Sequence, residues 1–130
     1  MELQSAANNK YVSAELGMPG APLRARADVA STWEKFYLHN NGDGTYSLQS
    51  LANHKYVSAE LGMPGAPLRA RADVASTWEK FYLHNNGDET YSLQSAANYK
   101  YVSAELGMGG APLRARADVA STWEKFYLVQ

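Results

Sequence analysis

The sequence predicts an all-β fold, a β-trefoil with internal threefold symmetry, from a repeat of 45 residues, short alternating strand segments, and a joint missing at the ends. Sliding the chain by 45 residues superposes Trp33, Trp78 and Trp123, and likewise Tyr11, Tyr56 and Tyr101. Residues 1–45 and 46–90 differ at five positions, and residues 46–85 and 91–130 at another five. Divergence this small means recent duplication or deliberate construction. The joint His39-Asn40-Asn41-Gly42-Asp43 recurs as His84-Asn85-Asn86-Gly87-Asp88, but there is no third copy. A ring of three units cut once has this form, with its termini adjacent. An open solenoid would instead carry polar caps at both ends.

Each unit holds four strand candidates. Tyr46-Ser47-Leu48-Gln49-Ser50 alternates apolar and polar residues, as a half-buried strand does. Lys55 to Glu60 is rich in aromatic and β-branched types. After the breaker Gly62-Met63-Pro64-Gly65, Leu68-Arg69-Ala70-Arg71-Ala72 alternates again. Thr77 to Leu83 is the fourth, ending at the hairpin signal Asn86-Gly87-Asp88. Asp28 to Phe36 competes as a capped helix, since Ala, Glu and Lys favour helix, but Val, Ser, Thr and Trp weaken it. A single 3-10 turn around Val29-Ala30-Ser31 is the compromise.

Three such units fit a six-stranded barrel closed by three hairpins, in one domain of 130 residues with repeats 1–45, 46–90 and 91–130. A propeller needs typically 4–8 blades. The expected core of each unit is Leu3, Val12, Leu23, Phe36 and Leu38, with Tyr46-type and Trp33-type rings sealing the barrel ends. At roughly 1.5–3 kcal/mol per buried large side chain, three such sets can hold a small barrel without disulfides.

Composition narrows the function. Hydrophobic residues are 45% and charged residues 19%, a globular balance, and the net charge is −1. Twelve basic residues spread among thirteen acidic ones make no stripe for phosphates, so nucleic acid is not an expected partner. No apolar run is long enough for a membrane span. Cysteine is absent, which excludes disulfides, thiolate nucleophiles and Cys-ligated metals. Met1-Glu2-Leu3-Gln4 lacks the pattern of a secretory signal, leaving either the cytoplasm or a module of an exported protein. His39, His54 and His84 form no shared ligand cluster, and neither a Gly-x-Ser-x-Gly elbow nor a phosphate-cradling loop occurs. A non-enzyme without cofactor or metal is expected.

Thr45-Tyr46-Ser47-Leu48-Gln49-Ser50 followed by Asn53 to Glu60 resembles the opening strands of fascin-type β-trefoils. Trp33-Glu34-Lys35-Phe36-Tyr37-Leu38 resembles the closing strand of bacterial fascin-like modules. The pattern is also similar to ricin-type lectins, although their Gln-x-Trp tripeptide is absent here. The resemblance implies a β-trefoil whose partners are polysaccharide or glycoprotein glycans, or protein filaments of the actin type.

Sugar sites need a planar apolar platform with a few fixed polar groups. If Leu23, Ala25 and Ala27 face inward, Arg24 and Arg26 face outward with Asp28 beyond them. If Phe36 and Leu38 face inward, Tyr37 presents its ring. The candidate set is Asn8, Glu15, Arg24, Asp28 and Tyr37, repeated as Asn53, Glu60, Arg69, Asp73 and Tyr82, and again as Asn98, Glu105, Arg114, Asp118 and Tyr127. Each has a structural alternative: Asn8 as an Asx turn, the arginines in surface pairs with Glu15 or Glu34, Asp28 as a cap. Trp33 is assigned to the core rather than to a platform. Three shallow sites on a monomer would gain avidity on a multivalent glycan. The remaining reading is a symmetric scaffold that retains no ligand.

Overall fold

The computed structural model describes residues 1–130 and contains twelve strands joined in one antiparallel sheet system. Repeat 1 supplies β1 (Glu2–Ser5), β2 (Tyr11–Ala14), β3 (Leu23–Ala27) and β4 (Phe36–Asn40). Repeat 2 supplies β5 (Tyr46–Ser50), β6 (Tyr56–Ala59), β7 (Leu68–Ala72) and β8 (Phe81–Asn85). Repeat 3 supplies β9 (Tyr91–Ser95), β10 (Tyr101–Ala104), β11 (Leu113–Ala117) and β12 (Phe126–Val129).

The first and fourth strands of each repeat build the barrel. The joints fold as hairpins β4–β5 and β8–β9, with Leu38 opposite Leu48 and Leu83 opposite Leu93. The missing third joint is replaced by pairing of the terminal strands β1 and β12, with Leu3 opposite Leu128. Tyr46 meets Phe81 and Tyr91 meets Phe126, and Met1 and Phe36 exchange backbone hydrogen bonds of 2.9 and 3.0 Å. These contacts close a six-stranded ring, which a propeller does not form.

The second and third strands of each repeat pair as hairpins with a register shift at Tyr11/Val12, Tyr56/Val57 and Tyr101/Val102. Such a bulge sharpens the local twist and turns the hairpin across the barrel end. The tips then interlock around the pseudo-threefold axis. Ala25 N–H donates to Ala111 carbonyl at 2.9 Å, Ala70 to Ala21 at 3.0 Å, and Ala115 to Ala66 at 2.9 Å.

Leu3, Val12, Leu23 and Phe36 are buried as expected, and Leu48, Ala14 and Ala25 join them. Four placements differ. Leu38 is only half-buried: it shares the inward face of Phe36 and of Leu48 opposite it, but packs at the margin of the core. The 3-10 turn preferred to a helix is present, but it covers Thr32–Glu34, not residues 29–31. Its start is set by Glu34, whose Oε1 accepts from Ser31 N–H at 2.8 Å while Glu34 N–H donates to the Ser31 carbonyl. The Ser-x-x-Glu spacing carries that signal. The expected fourth strand from Thr77 is therefore divided, with a 3-10 turn at Thr77–Glu79 and β8 only from Phe81.

Trp33 does not seal the barrel. It stands on the 3-10 turn, 38% exposed, and its Cη2 lies 3.7 Å from where a Gly17 Cβ would be. Trp78 sits over Gly62 and Trp123 over Gly107 in the same way. The turn presents the indole at the surface, and the side-chain-free glycine gives it a seat there.

Candidate functional site

The half-exposed tryptophan sits on the turn that carries Glu34, whose charge acts on Arg26 of a half-buried guanidinium–carboxylate pair. Glu15 follows directly on β2 and is 4% exposed, so it is not the surface group expected. Its Oε1 accepts from Arg26 Nη2 at 2.7 Å. Arg26 projects outward from β3 because Ala25 points into the core, and its side chain is half in solvent. The hydrogen bond and charge of Glu15 raise the Arg26 pKa above the ordinary guanidinium value, and nearby Glu34 adds to this. Arg71–Glu60 and Arg116–Glu105 repeat the pair at 2.7 Å. The second oxygen of each glutamate is buried without a partner. A shallow depression of about 340 Å³ adjoins the ring, lined by Ser31, Thr32, Trp33 and Glu34.

On its other side, Arg26 borders a groove between repeats. Asn8, Lys10, Ala25 and Arg26 face Leu106, Met108, Gly110 and Ala111 across about 370 Å³. Equivalent grooves of about 380 and 370 Å³ hold Asn53, Lys55 and Arg71 against Met18, and Asn98, Lys100 and Arg116 against Met63.

The sequence-derived candidates are only partly brought together. Asn8 lines the groove, but its side chain is also structural: Oδ1 accepts from Lys10 N–H at 2.9 Å and Nδ2 donates to the Ala25 carbonyl at 3.0 Å. Asn53 and Asn98 repeat both bonds. Asp28, Asp73 and Asp118 are exposed and ion-paired with Lys10, Lys55 and Lys100, whose ammonium donors lower the carboxylate pKa values. Arg24, Arg69 and Arg114 are half-buried at the hairpin tips and form no carboxylate pair, unlike the surface pairing weighed for Arg24.

Tyr37, Tyr82 and Tyr127 lie on the barrel wall, away from the lining of the grooves. Tyr37 is 45% exposed, whereas Tyr82 and Tyr127 are half-buried. Tyr37 stacks on His54 with centroids 6.4 Å apart, and Tyr82 on Tyr99 at 6.2 Å. The third boundary offers Asn9 opposite Tyr127 in place of an aromatic ring, so these platforms are not equivalent. The residues that sequence reasoning left out are Trp33, assigned to the core, and Lys10. Arg26, which alternation turns outward, joins them. The Ser31-x-x-Glu34 capping spacing was the available sign that Trp33 sits on a turn.

No group of three His, Cys, Asp or Glu side chains is placed to hold a metal ion. A model of the family described as ricin-type β-trefoil lectin domain-like matches residues 30–115. No curated protein sequence matches. Among solved structures, the designed threefold-symmetric protein ThreeFoil superposes with a TM-score of 0.89 at 19% identity, over 99% of this chain and 96% of that one. SeviL bound to asialo-GM1 saccharide superposes with a TM-score of 0.77 at 15% identity, covering 99% and 94%. The exo-β-1,3-galactanase 1,3Gal43A from Clostridium thermocellum superposes with a TM-score of 0.85 at 16% identity, but this chain spans only 29% of it. At these identities the likeness establishes the fold.

Proposed function

Because the chain belongs to the ricin-type β-trefoil lectin domain-like family, we propose that it is a non-catalytic glycan-binding module with three equivalent shallow sites. The observation that carries this reading is the threefold recurrence of a half-exposed tryptophan on a turn whose glutamate acts on a guanidinium–carboxylate pair: Trp33 beside Glu34, with Arg26 and Glu15, and the counterparts about Trp78 and Trp123. An indole face supplies apolar contact to a sugar ring. Arg26, anchored by Glu15, supplies directed donors on a stem that loses little further freedom.

Asn8, Lys10 and Asp28 extend the polar surface from the Arg26 side. Tyr37, Tyr82 and Tyr127 form a secondary set on the barrel wall. That SeviL is seen with a saccharide supports this class of ligand. Openness of the sites favours polysaccharide or glycoprotein over a free metabolite, because three weak contacts combine on a multivalent surface.

A glycan array followed by affinity chromatography tests the proposal. Retention should weaken stepwise as Trp33, Trp78 and Trp123 are changed to Ala one after another, with Trp→Phe partly rescuing. Tyr37, Tyr82 and Tyr127→Ala should have smaller effects. No retention by a folded protein across diverse glycans would overturn it. Co-sedimentation with actin filaments in that case would move the function to filament binding, and failure of both would leave a symmetric scaffold.

A further inference from the structure

Only one position of the repeat carries a different residue in each of the three copies: Asn9, His54 and Tyr99. Each lies exposed in the turn between the first and second strands of its repeat, with a backbone φ of 60°, 60° and 59°. Asn and His enter this left-handed conformation more readily than most side chains, whereas a bulky Tyr is an outlier there. Strain of this kind persists where the surroundings hold it, and it gathers at functional sites.

The ring gained at this position meets a ring of the preceding repeat. His54 lies against Tyr37 with the two planes 16° apart, and Tyr99 against Tyr82 with planes 15° apart. A second pair extends each wall, His39 at 5.7 Å from Tyr56 and His84 at 5.7 Å from Tyr101. A glutamine ties the parts together. Gln49 Nε2 donates to the His54 carbonyl at 2.9 Å, which turns its Oε1 to His39 Nε2 at 2.8 Å. His39 Nε2–H is therefore the donor, and the neutral imidazole keeps Nδ1 as an acceptor. Gln94 holds the Tyr99 carbonyl and His84 in the same way, at 3.0 and 2.8 Å.

The third wall has the backbone of the other two but not their rings. Tyr127 faces Gln4 in the register that Tyr37 has with Gln49 and Tyr82 with Gln94. Gln4 Nε2 again donates to the turn, at the Asn9 carbonyl. Yet Asn9 stands where the others have a stacked ring, and Val129 where they have an imidazole. Few positions differ between the repeats, and two of them fall on this one surface.

Rings that carry no fixed charge, open in part to water and set beside an oriented imidazole, suit the apolar face and hydroxyls of a neutral sugar. We propose that the Tyr37–His54 and Tyr82–Tyr99 walls are two further binding sites, each for an uncharged pyranose, with no third site at Tyr127. The proposal rests on the glycan-binding reading but uses residues other than those of the tryptophan sites.

The experiment is NMR titration of the whole chain with methyl β-galactopyranoside and with methyl β-glucopyranoside, following the Tyr and His ring protons and, separately, the Trp indole signals. The rings of Tyr37, His54, Tyr82 and Tyr99 should shift with at least one sugar, and those of Tyr127 should not. Tyr99→Asn should weaken the response at Tyr82 at least tenfold and raise the melting temperature, because Asn accepts the left-handed backbone that strains Tyr. Asn9→Tyr should make Tyr127 respond. Circular dichroism confirms that each variant is folded. Still wall rings with both sugars, an equal response at Tyr127 in the parent, or a Tyr82 titration unchanged in Tyr99→Asn would each overturn the proposal. A lowered melting temperature with that unchanged titration would assign the rings to support of the fold. Shifting indoles beside still wall rings would overturn this proposal alone. Shifting wall rings beside still indoles would support it and remove the tryptophan sites instead.

Discussion

Arg69 lies along the backbone of Gly20 in the preceding repeat, so closely that a methyl group there would sit 2.8 Å from its Nη1. With the cyclic alanine hydrogen bonds, this contact locks neighbouring repeats together at the hairpin tips. Gly20→Ala should therefore cost about 2 kcal/mol, from the positive φ of 79° and the displaced guanidinium. Gly42→Ala, at φ 82° with nothing within 4 Å, should cost only the backbone part, about 1 kcal/mol. Urea unfolding of the two variants measures the difference, and equal losses would show that the arginine contact contributes nothing.

The two joints contain a natural comparison. Gly44 has φ 90°, and its counterpart Glu89 holds φ 75° with a side chain attached. Left-handed backbone costs an L-residue about 1–2 kcal/mol, partly offset by the greater freedom of glycine when unfolded. Glu89→Gly is expected to stabilise by up to about 1 kcal/mol, and Gly44→Glu to destabilise by a similar amount. Chemical denaturation of both single variants checks the opposite signs.

Arg71 neutralises a carboxylate that is itself 4% exposed. Arg71→Met would leave Glu60 desolvated and unpaired, costing about 2 kcal/mol. That is below the 3–5 kcal/mol of a fully buried pair, since half of the arginine already faces water. The double variant Arg71→Met/Glu60→Gln should recover part of the loss. A thermal melt in which the double is as unstable as the sum of the singles would contradict this coupling.

Acid should weaken the joints. The Asp43 and Asp88 carboxylates are lowered to about 2, first by the hydroxyl and then by the backbone N–H of Thr45 and Thr90. Their folded pKa values lie below the ordinary 3.8, so this stabilisation is complete above about pH 4 and is lost as pH falls through about 2. The melting temperature should drop over that window, and Asp43→Asn/Asp88→Asn should flatten the drop. Melts from pH 2 to 6 read the slope directly.

Much of the fold was legible because its signals are local and repeated. Alternation in Leu68 to Ala72 set which residues face the core, and the Asn-Gly-Asp joints set the hairpins. The 3-10 turn was misplaced by reading propensity along Asp28 to Phe36 while passing over the Ser31–Glu34 spacing that caps it. The candidate site was less legible. Trp33, Trp78 and Trp123 look like core residues in a sequence, because large apolar side chains usually are. Glu15 looks like a surface residue for the opposite reason.

By itself, then, the sequence determined the threefold repeat, the β-trefoil class, the inward residues of each strand and the closure of the ring through its termini. Those follow from periodicity and from one absent joint. Only the tertiary structure decided that Arg26 pairs with Glu15 while Arg24 crosses to Gly110 of another repeat, although the two arginines are two residues apart on one strand. The physical reason is that alternation specifies a face but not what lies opposite it. At the barrel end, three hairpin tips converge, and the partner of an outward side chain belongs to a different repeat.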